Sequence, residues 1–314
     1  MWAASASARA LVAPGPFTRS QLTRARCDTT VTGRVLVCEW YPMNAVRESL
    51  PGAERAAVAD GGPGVAALLV GPDSPVAAAD IARMPDLRVI ATASTGVDHI
   101  DVGAATEAGI EVRDAGDYCA EEVADHALAL LVALLRGVPV QDRSVQEGRF
   151  DHRAGGVPRR LAGTRLAVLG YGRIGRGLAE RAQALGMEAR WYDPYVPGGE
   201  PDLDELLRWA QAVSLHMPLT PETEGLFDSR RLALLAPGTI LVNTARAAIV
   251  DRAAMLEATH LRAAFDALWE RPPGADLLGH DHLVLTPYAA WYSETTELEP
   301  YLRAARAAAE ALAG

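Results

Sequence analysis

Residues 166–193, LAVLGYGRIGRGLAERAQALGMEARWYD, constrain this chain more than any other segment. They read as an apolar strand ending at Leu169, a glycine-rich turn, a helix, and a second strand closed by an acid. Gly170, Gly172 and Gly175 fit the spacing G-x-G-x-x-G. The first glycine permits a tight turn, the second lets a pyrophosphate approach the backbone, and the third lets the helix pack closely on the sheet. The amides that open such a helix have no intrahelical partner, and its dipole favours an anion there. Asp193 follows the last glycine by about the roughly 20-residue interval at which a carboxylate accepts from a ribose 2′-hydroxyl. Three glycines alone are a weak signal, because many turns contain them. Here strand, helix and acid agree, and together they predict a bound dinucleotide rather than a purely structural turn. Asp193 would repel a 2′-phosphate, so NAD is expected over NADP; Arg190 is the nearby residue that opposes this preference.

The 314 residues suit two domains of ordinary size, each able to bury a core. Hydrophobic residues make up 49% and charged residues 22%, a globular rather than a disordered balance. A net charge of −10 disfavours a surface that tracks phosphates, so no nucleic-acid partner is expected. The chain contains no lysine, which excludes Schiff-base chemistry and any Tyr–Lys proton-transfer pair. Cys27, Cys38 and Cys119 show no metal or redox spacing and read as small buried hydrophobes. Their odd number fits a reducing compartment. No apolar run approaches the roughly 20 residues needed to span a bilayer, and the start, MWAASASARALVAPGP, lacks a continuous apolar stretch. No membrane partner and no signal peptide are expected, and a cytoplasmic location is.

The glycine-rich turn lies mid-chain, with room for another domain before it. Segments 34–41, 65–71 and 87–94 read as short buried strands separated by helix-like stretches, which predicts a parallel α/β sheet there too. Residues 10–13 offer a further strand, leaving the start of that domain open between there and Arg34. The stretch AEEVADHALALLVALLR, Ala120–Arg136, predicts a helix: acids in its first turn, arginine in its last, and Gly137 as a stop. Beyond the turn, β-like runs recur at 211–219, 238–245, 261–267 and 282–288, and residues 297–313 read as an amphipathic helix.

In an open α/β sheet, ligands bind beyond the carboxyl ends of the strands. The residues at those ends here are 94–96, 170–175, 193, 216–220, 243–246, 266–270 and 288–291. Read together, they closely resemble the D-2-hydroxyacid dehydrogenase family, from about residue 87 to the C-terminus. STGVDHIDVGAATEAGIEV, SLHMPLTPETEGLFD and LLAPGTILVNTARAAIVD are similar to successive family blocks. LTPYAAWYSETT is most similar to the C-terminal-binding-protein branch. The resemblance implies an α/β fold of two doubly wound domains: a flavodoxin-like substrate domain (1–118 plus 289–314) and an inserted Rossmann NAD-binding domain (119–288). It also implies a homodimer and a small 2-keto or 2-hydroxy acid substrate.

Carried over by position, the family places the substrate carboxylate on the amides of Ser94, Thr95 and Gly96. Arg246 takes the catalytic arginine position, where a planar guanidinium can bind a carboxylate and polarise a carbonyl together. Asp266 matches the acid that fixes the nicotinamide carboxamide. Tyr171, Arg173, Ile174, His216, Pro218, Thr220, Thr244 and Ala245 line the implied cofactor path, and Trp291 matches a residue facing the substrate pocket. Two positions depart from the pattern. Tyr288 stands where the family has its general-acid histidine. The orienting glutamate's position holds Arg271, with Glu270 beside it as the remaining acid candidate. His280 and His282 enter the strand that Tyr288 leaves, roughly 20 Å away at 3.3 Å per residue, and are expected to face solvent. His99, just after the substrate loop, stays open.

The reading that follows is an NAD(H)-dependent oxidoreductase that reduces a 2-keto acid with a non-standard proton donor. A tyrosine with an ordinary pKa near 10 is protonated at neutral pH and can donate to an alkoxide. As a base for the reverse reaction it is about three units out of range unless Arg246 or Arg271 lowers its pKa. The alternative is an NAD-binding family member without ordinary dehydrogenase activity, either one with non-redox or atypical NAD-dependent chemistry or a cofactor-gated interaction protein.

Overall fold

The computed structural model describes residues 33–38 and 41–313. The strand considered at 10–13 and Cys27 lie outside these residues. Two compact units result, one of Cys119–Tyr292 and one of the described residues up to Tyr118 together with those from Ser293 onward. The chain thus leaves the second of these units once and returns to it from Ser293 onward. Residues 289–292 fall with the dinucleotide unit rather than with the substrate unit to which the sequence had assigned them.

The substrate unit is built on strands β1 (Arg34–Val37), β2 (Ala53–Arg55), β3 (Val65–Val70), β4 (Val89–Thr92) and β5 (Glu111–Arg113). They form a parallel sheet in the order β2-β1-β3-β4-β5, the flavodoxin-like arrangement. All six residues of β3 are buried, which is why this strand reads as an unbroken apolar run. Helices α1 (Met43–Ser49), α2 (Ala78–Ala82) and α3 (Val102–Glu107) link the strands.

The dinucleotide unit opens with α4 (Ala120–Arg136), bounded as the sequence predicts. Gly137 ends it at φ +68°, a left-handed cap that glycine adopts at little cost. Leu130, Leu131, Leu134 and Leu135 pack with Leu166, Val168, Leu178 and Ala182 into one core layer. α5 (Val138–Gln146) follows.

Six parallel strands make the second sheet: β6 (Arg165–Leu169), β7 (Glu188–Tyr192), β8 (Ala212–Leu215), β9 (Ile240–Asn243), β10 (Arg262–Phe265) and β11 (Leu283–Leu285). Their order is β11-β10-β9-β8-β6-β7. From β6 the chain builds outward to β7, then returns to place β8 on the other side of β6. The gap between the carboxyl ends of β6 and β8 is therefore the switch point where such sheets bind ligands. α6 (Arg173–Ala184), α7 (Leu203–Trp209), α8 (Ser229–Leu232) and α9 (Arg252–Glu257) make the connections. Arg181 of α6 pairs with Glu121 and Asp125 of α4. On the second face of the sheet, Phe265 and Phe227 sit in a separate layer with Leu215 and Leu241.

α10 (Glu299–Ala313) belongs to the substrate unit. Ala304, Ala305, Ala308 and Ala309 form its buried stripe against Val35, Val37, Leu69 and Val89, and the small side chains let the helix lie close to the sheet. Its buried Arg303 reaches the Ala115 carbonyl at 3.2 Å and pairs with Glu299 and Asp117.

Fully buried Leu131 anchors the layer between α4 and the second sheet. Leu131→Ala is expected to cost about 2–5 kcal/mol, measured as a lower urea midpoint with unchanged far-ultraviolet circular dichroism.

Candidate functional site

Each fingerprint glycine meets a different physical demand. Gly170 has φ +87°, and a Cβ there would lie 2.7 Å from the backbone of His216 and Met217. The first glycine thus brings the loops after β6 and β8 together at the switch point. A Cβ on Gly175 would meet the Gly170 carbonyl oxygen at 2.1 Å, so only glycine lets α6 start where it does. Gly172 caps the same helix and has open space where its Cβ would be. Local packing does not demand a glycine there, and the open space leaves the backbone accessible to a group approaching from outside. Arg173, the first residue of α6, is exposed, while Ile174 is half-buried.

Asp193 receives the Tyr171 amide at 2.7 Å and the Tyr195 amide at 2.9 Å, which holds its carboxylate at the end of β7 beside the glycine turn. Arg190 pairs with Glu188 and Glu200 and lies 4.3 Å over the Trp209 ring. The cation that opposed an NAD preference is thereby committed elsewhere. Tyr171 stacks on Trp191 at 4.2 Å between centroids.

After β8, the His216 amide donates to the Leu169 carbonyl and its Nε2 lies 2.8 Å from Ser214 Oγ. Burial lowers the imidazole pKa to about 4, so the ring is neutral near pH 7 and forms a wall rather than an acid. Pro218 and Thr220 are shaped by Thr223, a residue the sequence did not single out. Its buried hydroxyl donates to the Pro218 carbonyl at 2.7 Å and accepts from the Thr220 amide at 2.8 Å.

Buried Asn243 braces the turn after β9. Its Nδ2 donates to the Arg246 carbonyl and its Oδ1 accepts from the Ala245 amide. The Arg246 guanidinium donates to the Ala245 carbonyl at 3.0 Å. Thr244 Oγ1 is buried and has no hydrogen-bond partner among the described residues.

Asp266 is 2% exposed, and its carboxylate fastens the loop beyond β11. Oδ1 accepts from Thr286 Oγ1 at 2.6 Å and from the Ala289 amide at 2.8 Å, and Oδ2 accepts from the Ala290 amide at 3.0 Å. His126 of α4, also absent from the sequence reading, brings Nε2 to 3.3 Å from Thr286 Oγ1 and 3.7 Å from Asp266 Oδ1. Within this loop Tyr288 has φ +58°, alone in positive φ among the described non-glycine residues. Its amide donates to the carbonyls of Asp266 and Thr286. For a bulky side chain this conformation costs about 1–3 kcal/mol and persists only where the surroundings impose it.

The two departures from the family pattern touch each other. The Arg271 guanidinium lies 4.2 Å over the Tyr288 ring. Glu270 is engaged elsewhere, accepting from Arg252 at 2.8 Å and from the Gly274 amide at 2.9 Å, so it braces the 270–274 loop. Trp291 packs edge-on against Tyr292.

Among the remaining histidines, His282 is half-buried, with Nε2 shielded and its pKa lowered by burial and by His280 beside it. That corrects the expectation that it faces solvent; the strand start tucks its ring inward. In the substrate unit, Ser94 Oγ donates to the Gly96 carbonyl at 2.7 Å, and Thr95 Oγ1 to that of Gly116. These bonds leave the 94–96 loop in one shape. His99 Nε2 sits 3.1 Å from Thr92 Oγ1, which ties it to the end of β4. Cys38 and Cys119 are buried.

The residues present fit NAD. Gly172 is open, Thr244 Oγ1 awaits a partner, and Asp266 uses three of about four acceptor positions internally, leaving one for a carboxamide. Residues 128–290 match the family described as D-isomer specific 2-hydroxyacid dehydrogenase, NAD binding domain. Glycerate dehydrogenase of Methylorubrum extorquens is 35% identical over 237 residues, covering 70% of this chain and 74% of that protein. D-3-phosphoglycerate dehydrogenase of Mycobacterium bovis is 38% identical over 71% of this chain, a stretch that spans 44% of the longer relative. Among solved structures, an NAD-dependent formate dehydrogenase from Staphylococcus aureus in complex with NAD is similar at TM-score 0.74 and 28% identity, covering 88% of this chain and 93% of that one.

The glycine geometry separates binding from folding. Gly172→Ala should keep the urea midpoint while weakening NADH roughly tenfold or more, about 1.4 kcal/mol, in a fluorescence titration. Gly175→Ala should lower both. For His216, the unfolded state binds the extra proton between its ordinary pKa of about 6.5 and the native value near 4. Its stabilising effect is therefore present above that window and lost as pH falls through it. His216→Asn should flatten the decline of urea midpoint with acid.

Proposed function

The chain belongs to the D-isomer specific 2-hydroxyacid dehydrogenase family of NAD-dependent oxidoreductases, and we propose that it reduces a 2-keto acid with Tyr288 as the proton donor. The observation that carries this reading is the held conformation of Tyr288. A bulky residue kept at φ +58° by the Asp266-clamped loop is a residue whose side-chain direction is being specified.

When bound, NADH supplies the hydride. The chain's own groups do the rest. In the substrate unit, Ser94, Thr95 and Gly96 are the positions whose amides the family resemblance assigns to a carboxylate; in the dinucleotide unit, Arg246 offers a positive charge for a carboxylate and a carbonyl oxygen. Asp266 orients the carboxamide with its remaining acceptor position, and the neutral His216 ring walls the cofactor path. The Tyr288 hydroxyl gives its proton to the oxygen that becomes the alcohol. Reduction is the favoured direction, because a phenol near pH 7 is a competent acid and a poor base. The half-buried Trp291 beside the Tyr288 loop supports an apolar substrate side chain.

A homodimer fits the apolar surface of the dinucleotide unit. Phe150 is 99% exposed and Val157 96%, and Val138 and Val145 of α5 are exposed as well. The odd number of cysteines, three without metal or redox spacing, supports work in a reducing compartment such as the cytoplasm.

A panel of 2-keto acids should reveal NADH consumption with at least one member. Absence of turnover across the panel, with NADH binding confirmed by fluorescence, would overturn the reading. With the substrate found, Tyr288→Phe should lower kcat by roughly a hundredfold or more while leaving NADH affinity unchanged.

A further inference from the structure

Tyr288 gives up a proton in the proposed reaction, and what is left on the enzyme is a phenolate. The O–H bond of Tyr288 breaks, the proton passes to the alkoxide formed from the substrate carbonyl, and the electron pair stays on Oη until solvent water returns a proton. The sequence offers Arg246 and Arg271 as candidates to stabilise that charge, and the structure places Arg271 against the ring.

Among the described residues, Asp266 and His126 are titratable groups that face the clamp side of the Tyr288 loop. Asp266 is buried and carries Thr286 Oγ1 and the amides of Ala289 and Ala290. His126, from α4, lies 3.3 Å from Thr286 Oγ1. The Asp266 charge disfavours a phenolate. Arg271 opposes it from the 270–274 loop, with its guanidinium carbon 4.2 Å from the ring centroid. A guanidinium over an aromatic face is attracted to the neutral ring and far more to the phenolate. It holds its charge at every pH the protein meets.

We infer that Arg271 is a positioning residue for Tyr288, fixing the ring by its stacking contact and stabilising the phenolate that proton donation leaves behind. The inference rests on Tyr288 being the proton donor and deepens that reading. The contact also makes the reaction reversible nearer neutrality than an isolated tyrosine would allow. Because Arg271 is exposed, solvent screens its charge and keeps the effect on the phenol modest.

The test reads the phenol directly as well as through turnover. In protein carrying isotope-labelled tyrosine, the Cζ resonance missing from Tyr288→Phe identifies Tyr288 among the eight tyrosines. Its titration midpoint should rise by roughly half a unit or more in Arg271→Met and stay near the wild-type value in Arg271→Lys. The alkaline limb of kcat/KM for keto-acid reduction should move up with the midpoint, with the affinity for NADH unchanged. Arg271→Gln provides a second neutral variant should the methionine protein fail to fold, and must show the same rise. An unmoved midpoint in a folded neutral variant would overturn the role of Arg271. A midpoint that moves in a protein that reduces no 2-keto acid would uphold the pairing and overturn the oxidoreductase reading instead.

Discussion

The buried carboxylate of Asp266 holds the reactive end of the dinucleotide unit in place. Removing an ionised carboxyl group from water is expensive unless donors replace the water, and here three do, two of them backbone amides from residues that follow Tyr288. The bonds tie the end of β10 to a loop more than twenty positions further on. The Asp266 amide in turn donates to the carbonyl of Asn243, whose side chain shapes the turn carrying Arg246. Arg246 after β9 and Tyr288 after β11 are thus both located from the end of β10, the strand between them, through a short series of hydrogen bonds.

Much of this was legible in the sequence because it depends on local regularities. The helix at Ala120–Arg136 announces itself by its acids, its apolar spacing and its closing Gly137. The three glycines stand where steric arguments need them, and the structure assigns each a distinct neighbour. Strand ends were found within a few residues, because buried parallel strands read as short apolar runs closed by polar ones. The resemblance to the family implied a Rossmann sheet after the mid-chain glycine turn, and a six-stranded parallel sheet begins there.

Other features escaped because they depend on contacts between distant positions. Arg190 looked available to a 2′-phosphate until Glu188, Glu200 and Trp209 were seen around it. Glu270 looked like the nearest substitute for a missing acid, but Arg252 from α9 claims it, and the stacking partner of Tyr288 is its neighbour Arg271. Thr223, Asn243 and His126 act through side-chain hydrogen bonds that no periodicity encodes. Nor does any residue type predict positive φ for a tyrosine. That angle results from the clamp, and the clamp exists only once the sheet has formed.

The left-handed backbone at Tyr288 also bears on how this chain can drift over generations. Glycine or asparagine would occupy that angle more comfortably, so replacement there offers the fold a gain while removing the phenol. Selection for stability alone would erode the position. Under the proposed reaction, the hydroxyl's role is set against the comfort of the backbone, a stability–activity trade-off written into one dihedral angle.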